Sequence, residues 1–347
     1  MKINELFAKA EAILITSPHH LQYVTGFRGG EGFAILRQDE KILLVDARYT
    51  LAAKEEAPTF TVVEYQRGGL IDELKKYLHG AKTIGIEDAE MTVTVFEHFK
   101  VAFDGAETVG VSGDLEMLRA IKSPEELECL RKAEQIGVDA FLAVVPQIRP
   151  GMKEYELAAE LEYQMRKRGA EGTSFETIAV SGEKTAMPHG KPDHKTIRNG
   201  ELITMDFGCR YKGYCSDMTR TVALGKISEE QKRIYDIVYR AQAEGLSAIR
   251  AGVIGREADR AARQVIEDAG FGKCFGHSLG HGVGLLIHEQ PNLSPRSNTV
   301  LKPGMVVTCE PGIYVPGLCG VRIEDMVCVT ESGCENLTHL DKTLLYL

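Results

Sequence analysis

Apolar and polar positions change period several times along the chain, and each change predicts an element. AILIT at 12–16 is apolar throughout, the pattern of a buried strand. FAILRQDEKILLVD at 33–46 alternates around Gln38-Asp39-Glu40 and reads as a hairpin. LIDELKKYLHG at 70–80 has helical spacing and closes on Gly80, and TIGIED at 83–88 reads as another strand. Short strands and helices thus alternate over about the first 115 residues, which predicts a small α/β domain. The glycine-rich TGFRGGEGF at 25–33 leads into a strand and not a helix. It offers no helix N-terminus to a phosphate and reads as a tight loop.

A stronger signal begins at Ser123. Serine at the N-cap, Pro124 at the first helical position and Glu126 at the third form a capping box. The domain boundary is placed just before it, giving domains at 1–120 and 121–347. Helical patterns at 124–143 and 152–168, the second ended by Gly169, precede strand-rich sequence from 175 to 224. Helical patterns at 229–250, begun by Ser228, and at 256–269 precede strand-rich sequence from about 275 to 330. A helix pair followed by strands, twice over, predicts an α+β domain with pseudo-twofold symmetry, helices outside and sheet inside.

Composition narrows the function classes. A chain of 347 residues matches about two domains, and 44% hydrophobic with 26% charged residues is a globular mixture rather than a disordered or fibrous one. Fifty acidic against 41 basic side chains give a net charge of −9, which argues against electrostatic binding to nucleic acid or an anionic membrane. Glu5 and Glu11 interrupt the apolar positions of the first twenty residues, so no signal-peptide pattern stands there, and no apolar run approaches the roughly 20 residues of a membrane span. The eight cysteines show no CxxC pair and read as reduced thiols. The expectation is a soluble cytoplasmic protein.

Two stretches carry the chemistry. ELITMDFGCRYKGYCSDMTRTVAL, 201–224, reads as two strands joined at Lys212-Gly213. A hairpin centred at 211.5 puts Asp206 opposite Asp217, where like charges destabilise each other unless a cation intervenes. A bulge would shift that register, and either aspartate alone could be a turn residue. VVTCEPGIYVPGLCGVRIEDMVCVT, 306–330, repeats the arrangement: Glu310 and Glu324 are equidistant from Gly317. Opposed acids inside apolar strands are costly to bury without cations. Four carboxylates with an imidazole or two suit hard-to-borderline divalent ions, and four negative charges match two such ions.

FGHSLGHGVGLLIHEQP, 275–291, holds His277, His281 and His288. Taken singly, each is more often a hydrogen-bonded structural histidine than a ligand. Glycines on both sides of His281 permit close backbone approach and favour it as the ligand. His189, seventeen residues before Asp206, stands on a loop and could enter the same cleft. Serine-hydrolase, kinase, P-loop and zinc-finger patterns are absent.

Three segments, PHGKPDHKTIRNGELITMDFGCRYKGYCSDMTRT, GHSLGHGVGLLIHE and LKPGMVVTCEPGIYVPGLCGVRIED, resemble the M24 metallopeptidases of pita-bread fold. The resemblance is closest to the Xaa-Pro peptidases, the Xaa-Pro dipeptidases (prolidases) and Xaa-Pro aminopeptidases (aminopeptidase P). YVTGFRGGEGF and VDARY extend it more weakly into a creatinase/prolidase-like amino-terminal domain. The resemblance implies that Asp206, Asp217, His281, Glu310 and Glu324 bind two metal ions, manganese or cobalt first, with zinc or iron also compatible. Glu310 would take the proton of the attacking water. His288 and His189 would orient the substrate and stabilise the tetrahedral intermediate. His277 and Tyr314 would line the pocket, Arg322 would support the metal carboxylates, and Arg296 would meet a substrate carboxylate. A proline-containing dipeptide or short peptide is the implied substrate and a homodimer the implied assembly. Two other readings remain: a catalytically inactive M24-fold binding protein, and a methionine aminopeptidase-like hydrolase, the latter disfavoured by the extra domain.

Overall fold

The computed structural model describes residues 3–347, and the chain divides into two compact units after Arg119. In the first unit the elements are β1 (Ala12–Ile15), α1 (Pro18–Thr25), β2 (Phe33–Leu36), β3 (Lys41–Val45) and α2 (Thr50–Glu56). They continue with β4 (Thr61–Glu64), α3 (Leu70–Leu78), β5 (Thr83–Ile86), α4 (Val93–Lys100), β6 (Glu107–Gly110) and α5 (Ser112–Ala120). The strands form one mixed sheet in the order β4-β3-β2-β1-β5-β6. β1 runs antiparallel to β2 and parallel to β5. Its unbroken apolar sequence follows from that central place. Ile13 and Ile15 enter the core on one face, while Ala12 and Leu14 enter the core on the other. The glycine-rich loop after α1 is a turn: Gly26, at φ 82°, caps the helix through its amide to Gln22 O.

This unit buries an acid. Glu87, directly after β5 and fully inaccessible, accepts hydrogen bonds from the Thr16 amide and hydroxyl, the Ser17 amide and hydroxyl, and His20 Nδ1. Burial alone would push its pKa up. Hydrogen bonds from His20, Ser17 and the two amides instead bring it down to about 2.

The second unit opens with α6 (Pro124–Val144) and α7 (Glu154–Lys167), followed by β7 (Gly172–Thr173), β8 (Ile178–Ser181), β9 (Glu201–Phe207), β10 (Cys209–Tyr211), β11 (Tyr214–Cys215) and β12 (Met218–Leu224). Then come α8 (Glu229–Ala248) and α9 (Gly255–Asp268), followed by β13 (Gly280–Gly282), β14 (Glu289–Leu293), β15 (Val306–Cys309), β16 (Gly312–Val315), β17 (Cys319–Arg322), β18 (Asp325–Val329) and β19 (Cys334–Asn336). Both helix pairs begin with a capping box. The Ser123 amide donates to Glu126 Oε2 at 2.7 Å and the Glu126 amide to Ser123 Oγ at 3.2 Å; Ser228 and Gln231 do the same on α8. α6 buries Leu130, Ala133, Gly137, Ala140, Phe141 and Val144, spaced three and four apart, and Phe141 stacks on Phe207 of β9.

The sheets beneath are β12-β9-β8 and β14-β13-β15-β18-β19, with the hairpins β10-β11 and β16-β17 continuing from them. A bridge between Thr219 and Glu324 links the two halves. Arg220 of β12 fastens that link: it donates to Glu324 O, to Asp325 Oδ1 at 2.8 Å and to the carbonyls of Leu340 and Asp341.

One predicted register is corrected. Asp206 pairs with Thr219 rather than with Asp217. Lys212 (φ 50°) and Gly213 (φ 82°) are both left-handed, as a two-residue type I′ turn requires, and pair Tyr211 with Tyr214. The hairpin is therefore centred one residue interval later than expected, at Lys212-Gly213 itself. The pairs on either side place Gly208 across from Asp217. Asp206 and Asp217 become diagonal neighbours on one face instead of directly opposed. Only glycine fits at 208, because a Cβ there would lie 1.8 Å from Ser216 O. The second hairpin keeps its predicted register. Cys309 pairs with Asp325 and Gly312 with Arg322, so Glu310 stands across from Glu324 where the ladder is interrupted.

Candidate active site

The four acids and His281 reach the site from five separate segments. Asp206 lies on β9, Asp217 precedes β12, His281 is the middle of β13, Glu310 follows β15, and Glu324 sits between β17 and β18. Asp217, His281 and Glu324 present ligand atoms within 4.8 Å of one another. His281 Nε2 is 3.5 Å from Asp217 Oδ2 and 3.3 Å from Glu310 Oε1, while its Nδ1 meets Gly282 O at 3.1 Å. That contact fixes Nδ1 as the donor and leaves Nε2 facing the acids, the orientation of a metal-binding imidazole. The flanking glycines let β13 approach its neighbours: a Cβ at Gly280 would lie 2.0 Å from Thr308 O.

Neighbouring side chains hold the acids in place. Arg322 is the hub. Its Nη2 donates to Asp206 Oδ2 at 2.5 Å, Nε to Thr219 Oγ1 at 3.1 Å, and Nη1 to Tyr314 OH at 2.8 Å and Pro188 O at 3.2 Å. Thr219 passes its own proton to Glu324 Oε2 at 2.6 Å, and Thr308 donates to Glu310 Oε1 at 3.1 Å. Glu134 of α6 accepts the Asp217 amide at 3.3 Å and the Thr338 hydroxyl at 2.5 Å. Thr219, Thr308 and Glu134 did not stand out in the sequence. The two threonines had a signal nonetheless, since each lies on a strand two positions from an acid at that strand's edge, the spacing that shares a face in extended chain.

Electrostatics separate the four acids. Burial, then the charge of Glu324, pushes Asp217 well above the carboxylate range, and burial followed by Glu310 does the same to Glu324. Burial also raises Asp206, although Arg322 opposes it. Glu310 is equally desolvated, but the His281 hydrogen bond and charge bring it down to about 2. The donor set fits divalent cations. Asp206 Oδ1 is buried without a hydrogen-bond partner among the described residues, and three acids whose ionisation is opposed by burial gain it back from a dication. All-oxygen donors with one imidazole suit Mn²⁺, Co²⁺, Fe²⁺ or Zn²⁺.

The five residues open onto a cleft of about 930 Å³, also lined by His189, His277, His288, Phe175, Thr177 and Ile287. His288 packs edge-on against His281, with ring centroids 4.4 Å apart, and burial followed by that neighbour's charge lowers its pKa. His277 Nδ1 donates to Ser278 O, so Nε2 accepts from Tyr314 OH at 2.9 Å; burial lowers its pKa and keeps it neutral. Tyr314 is 8% exposed, and its hydroxyl is shared between His277 and Arg322, which line the cleft. Arg296 is exposed on the loop after β14 and lies outside the cleft lining.

The chain compares with known proteins over nearly its whole length. It is 40% identical over 336 residues to the Xaa-Pro dipeptidase of Pyrococcus furiosus, covering 96% of this chain and 95% of that one. The solved Xaa-Pro dipeptidase from Bacillus anthracis superposes with a TM-score of 0.96 at 43% identity, covering 99% and 98% of the two chains. The X-Pro aminopeptidase from Thermotoga maritima superposes with a TM-score of 0.95 at 40% identity, covering 100% of both. Residues 7–121 match the creatinase/prolidase N-terminal domain, and residues 128–331 match metallopeptidase family M24. The chain belongs to metallopeptidase family M24, with a creatinase/prolidase amino-terminal domain preceding a pita-bread catalytic domain.

Proposed function

We propose that the protein is a metal-dependent exopeptidase that hydrolyses the Xaa-Pro bond of dipeptides or short peptides. The observation that supports this most directly is the convergence of Asp206, Asp217, Glu310, Glu324 and His281 on one cleft wall, with Asp206 Oδ1 buried and unpartnered among the described residues. Two divalent ions held by these five residues would lower the pKa of a water and polarise the scissile carbonyl. Manganese and cobalt are the ions to assay first.

The chain's own groups supply the rest. Glu310, held ionised by His281 and oriented by Thr308, is placed to take a proton from the attacking water and return it to the departing proline nitrogen. An Xaa-Pro bond is a tertiary amide with no N–H, so the nitrogen must be protonated as it leaves and the pocket must accept a ring of fixed φ. Phe175 and Ile287 offer apolar wall to such a ring. His189 and His288, both exposed at the cleft, donate to the oxygen that becomes negative in the tetrahedral intermediate. The test is hydrolysis of Ala-Pro and Ala-Pro-Ala with Mn²⁺ or Co²⁺, beside metal content per chain. Metal uptake with no Xaa-Pro hydrolysis would overturn the proposal in favour of a binding protein. Preferential release of methionine from Met-Ala peptides would overturn it in favour of a different M24 hydrolase.

A further inference from the structure

A dipeptide substrate carries its carboxylate on the carbon next to the scissile nitrogen. When its carbonyl lies among the ligand residues, that carboxylate is inside the cleft too. Where two dications would offset the four central carboxylates, the cleft stays acidic through Glu162 and Glu176, which also line it. A substrate anion entering there loses water and meets like charge, so it needs a cation. Among the described residues that line the cleft, only Arg322 and Lys191 carry a permanent positive charge. Arg322 is 4% exposed and already bonded to Asp206, Thr219, Tyr314 and Pro188.

Resting on the Xaa-Pro reading, we propose that Lys191, tethered across the cleft rim by Glu176, is the specificity residue that receives the C-terminal carboxylate of a dipeptide. Lys191 follows Gly190 on the loop that also carries His189, and its Nζ is 2.6 Å from Glu176 Oε2. Their side chains are 76% and 81% exposed, so the pair is solvated and contributes little net stability. Exchanging Glu176 for a substrate carboxylate therefore costs little, and the ammonium is already positioned. A second donor lines the same cleft. Thr177, next in sequence to Glu176, is 4% exposed, and its hydroxyl has no hydrogen-bond partner among the described residues. A longer peptide carries its carboxylate farther out, gains nothing from Lys191 and leaves the Lys191–Glu176 pair intact. Glu176 acts as the competitor, so its charge sets how readily Lys191 is released.

The experiment compares the Mn²⁺-loaded enzyme on Ala-Pro and on Ala-Pro-NH₂, which differ only in the terminal charge. Lys191→Met is expected to raise KM for Ala-Pro about five- to tenfold, below the full size of a charge-assisted hydrogen bond because the ammonium is solvated, with kcat little moved. Its preference for the acid over the amide shrinks by the same factor, and Lys191→Arg restores it. Glu176→Gln is expected to lower KM for Ala-Pro about twofold, and added salt to erode the wild-type preference. Equal losses on acid and amide in Lys191→Met, or a rise in KM for the acid in Arg296→Met and not in Lys191→Met, overturn this inference while leaving the Xaa-Pro reading standing. A wild-type enzyme that turns over neither substrate overturns that reading and this inference with it.

Discussion

Both units bury carboxylates, and they treat them in opposite ways. Glu87 is surrounded by donors on both oxygens, two amides, two hydroxyls and an imidazole, and sits with its pKa near 2. Asp206, Asp217 and Glu324 are also buried, yet their nearest strong influences include one another, and their pKa values are driven upward. Asp206 keeps an oxygen with no hydrogen-bond partner among the described residues. The difference is functional. A buried charge whose lone pairs are all used by the fold is architecture, because no room or need for a ligand remains. A buried cluster that protein donors leave incomplete is completed by something that binds. The same contrast holds within the site, where Arg322 spends its donors on Asp206, Thr219, Tyr314 and Pro188, and Lys191 pairs with a solvated Glu176.

Breaking the two constellations should have separable consequences. Asp217→Ala is expected to lower Xaa-Pro turnover by about a thousandfold or more and to reduce bound metal, read by steady-state kinetics and metal content. Full activity with two metals per chain would end the contrast. Glu87→Gln is expected to destabilise the fold by about 3 kcal/mol while leaving metal content unchanged, read by denaturant unfolding. Glu87 binds fewer protons folded than unfolded, so its contribution grows with pH. That contribution is present above pH 4.5 and lost as pH falls toward about 2, and the gap between wild type and Glu87→Gln should close across that window. Chelation is expected to lower wild-type stability by about 2.7 kcal/mol relative to protein with metal at a hundredfold excess over Kd. The decrement should shrink in Asp217→Ala and persist in Glu87→Gln. The smallest effect is expected from Arg322→Lys, about a ten- to hundredfold loss of metal affinity, since lysine keeps the charge but cannot hold Asp206, Tyr314 and Thr219 together.

Much of this was legible in the residues. The apolar runs at 12–16 and 33–46, the capping boxes at Ser123 and Ser228, and the repeated order of helices and strands all map onto elements seen in the fold. The spacing of Glu310 and Glu324 about Gly317 also gave their true register. The 201–224 hairpin did not come out as expected, because its register depends on which residues adopt positive φ, and a lysine doing so at 212 leaves no compositional mark. Tyr314 and Arg296 were read from their position in a motif, whereas their distance from the cleft depends on how β16 and the loop after β14 pack. The Glu87 cluster was invisible for a similar reason: its partners at 16–20 lie some seventy residues away.

By itself the sequence determined which segments become helix or strand, which acids fall inside apolar strands, and that one histidine flanked by glycines would join them. These follow from interactions a few residues long, which periodicity, caps and turn chemistry record directly. Tertiary structure decided the rest: the diagonal placing of Asp206 and Asp217, the unpartnered Asp206 oxygen, the hub made by Arg322, and Lys191 as the cleft cation with only a solvated tether. Each depends on groups far apart in sequence, and their distances are fixed only when the β9–β12 and β15–β18 ladders close around a shared core.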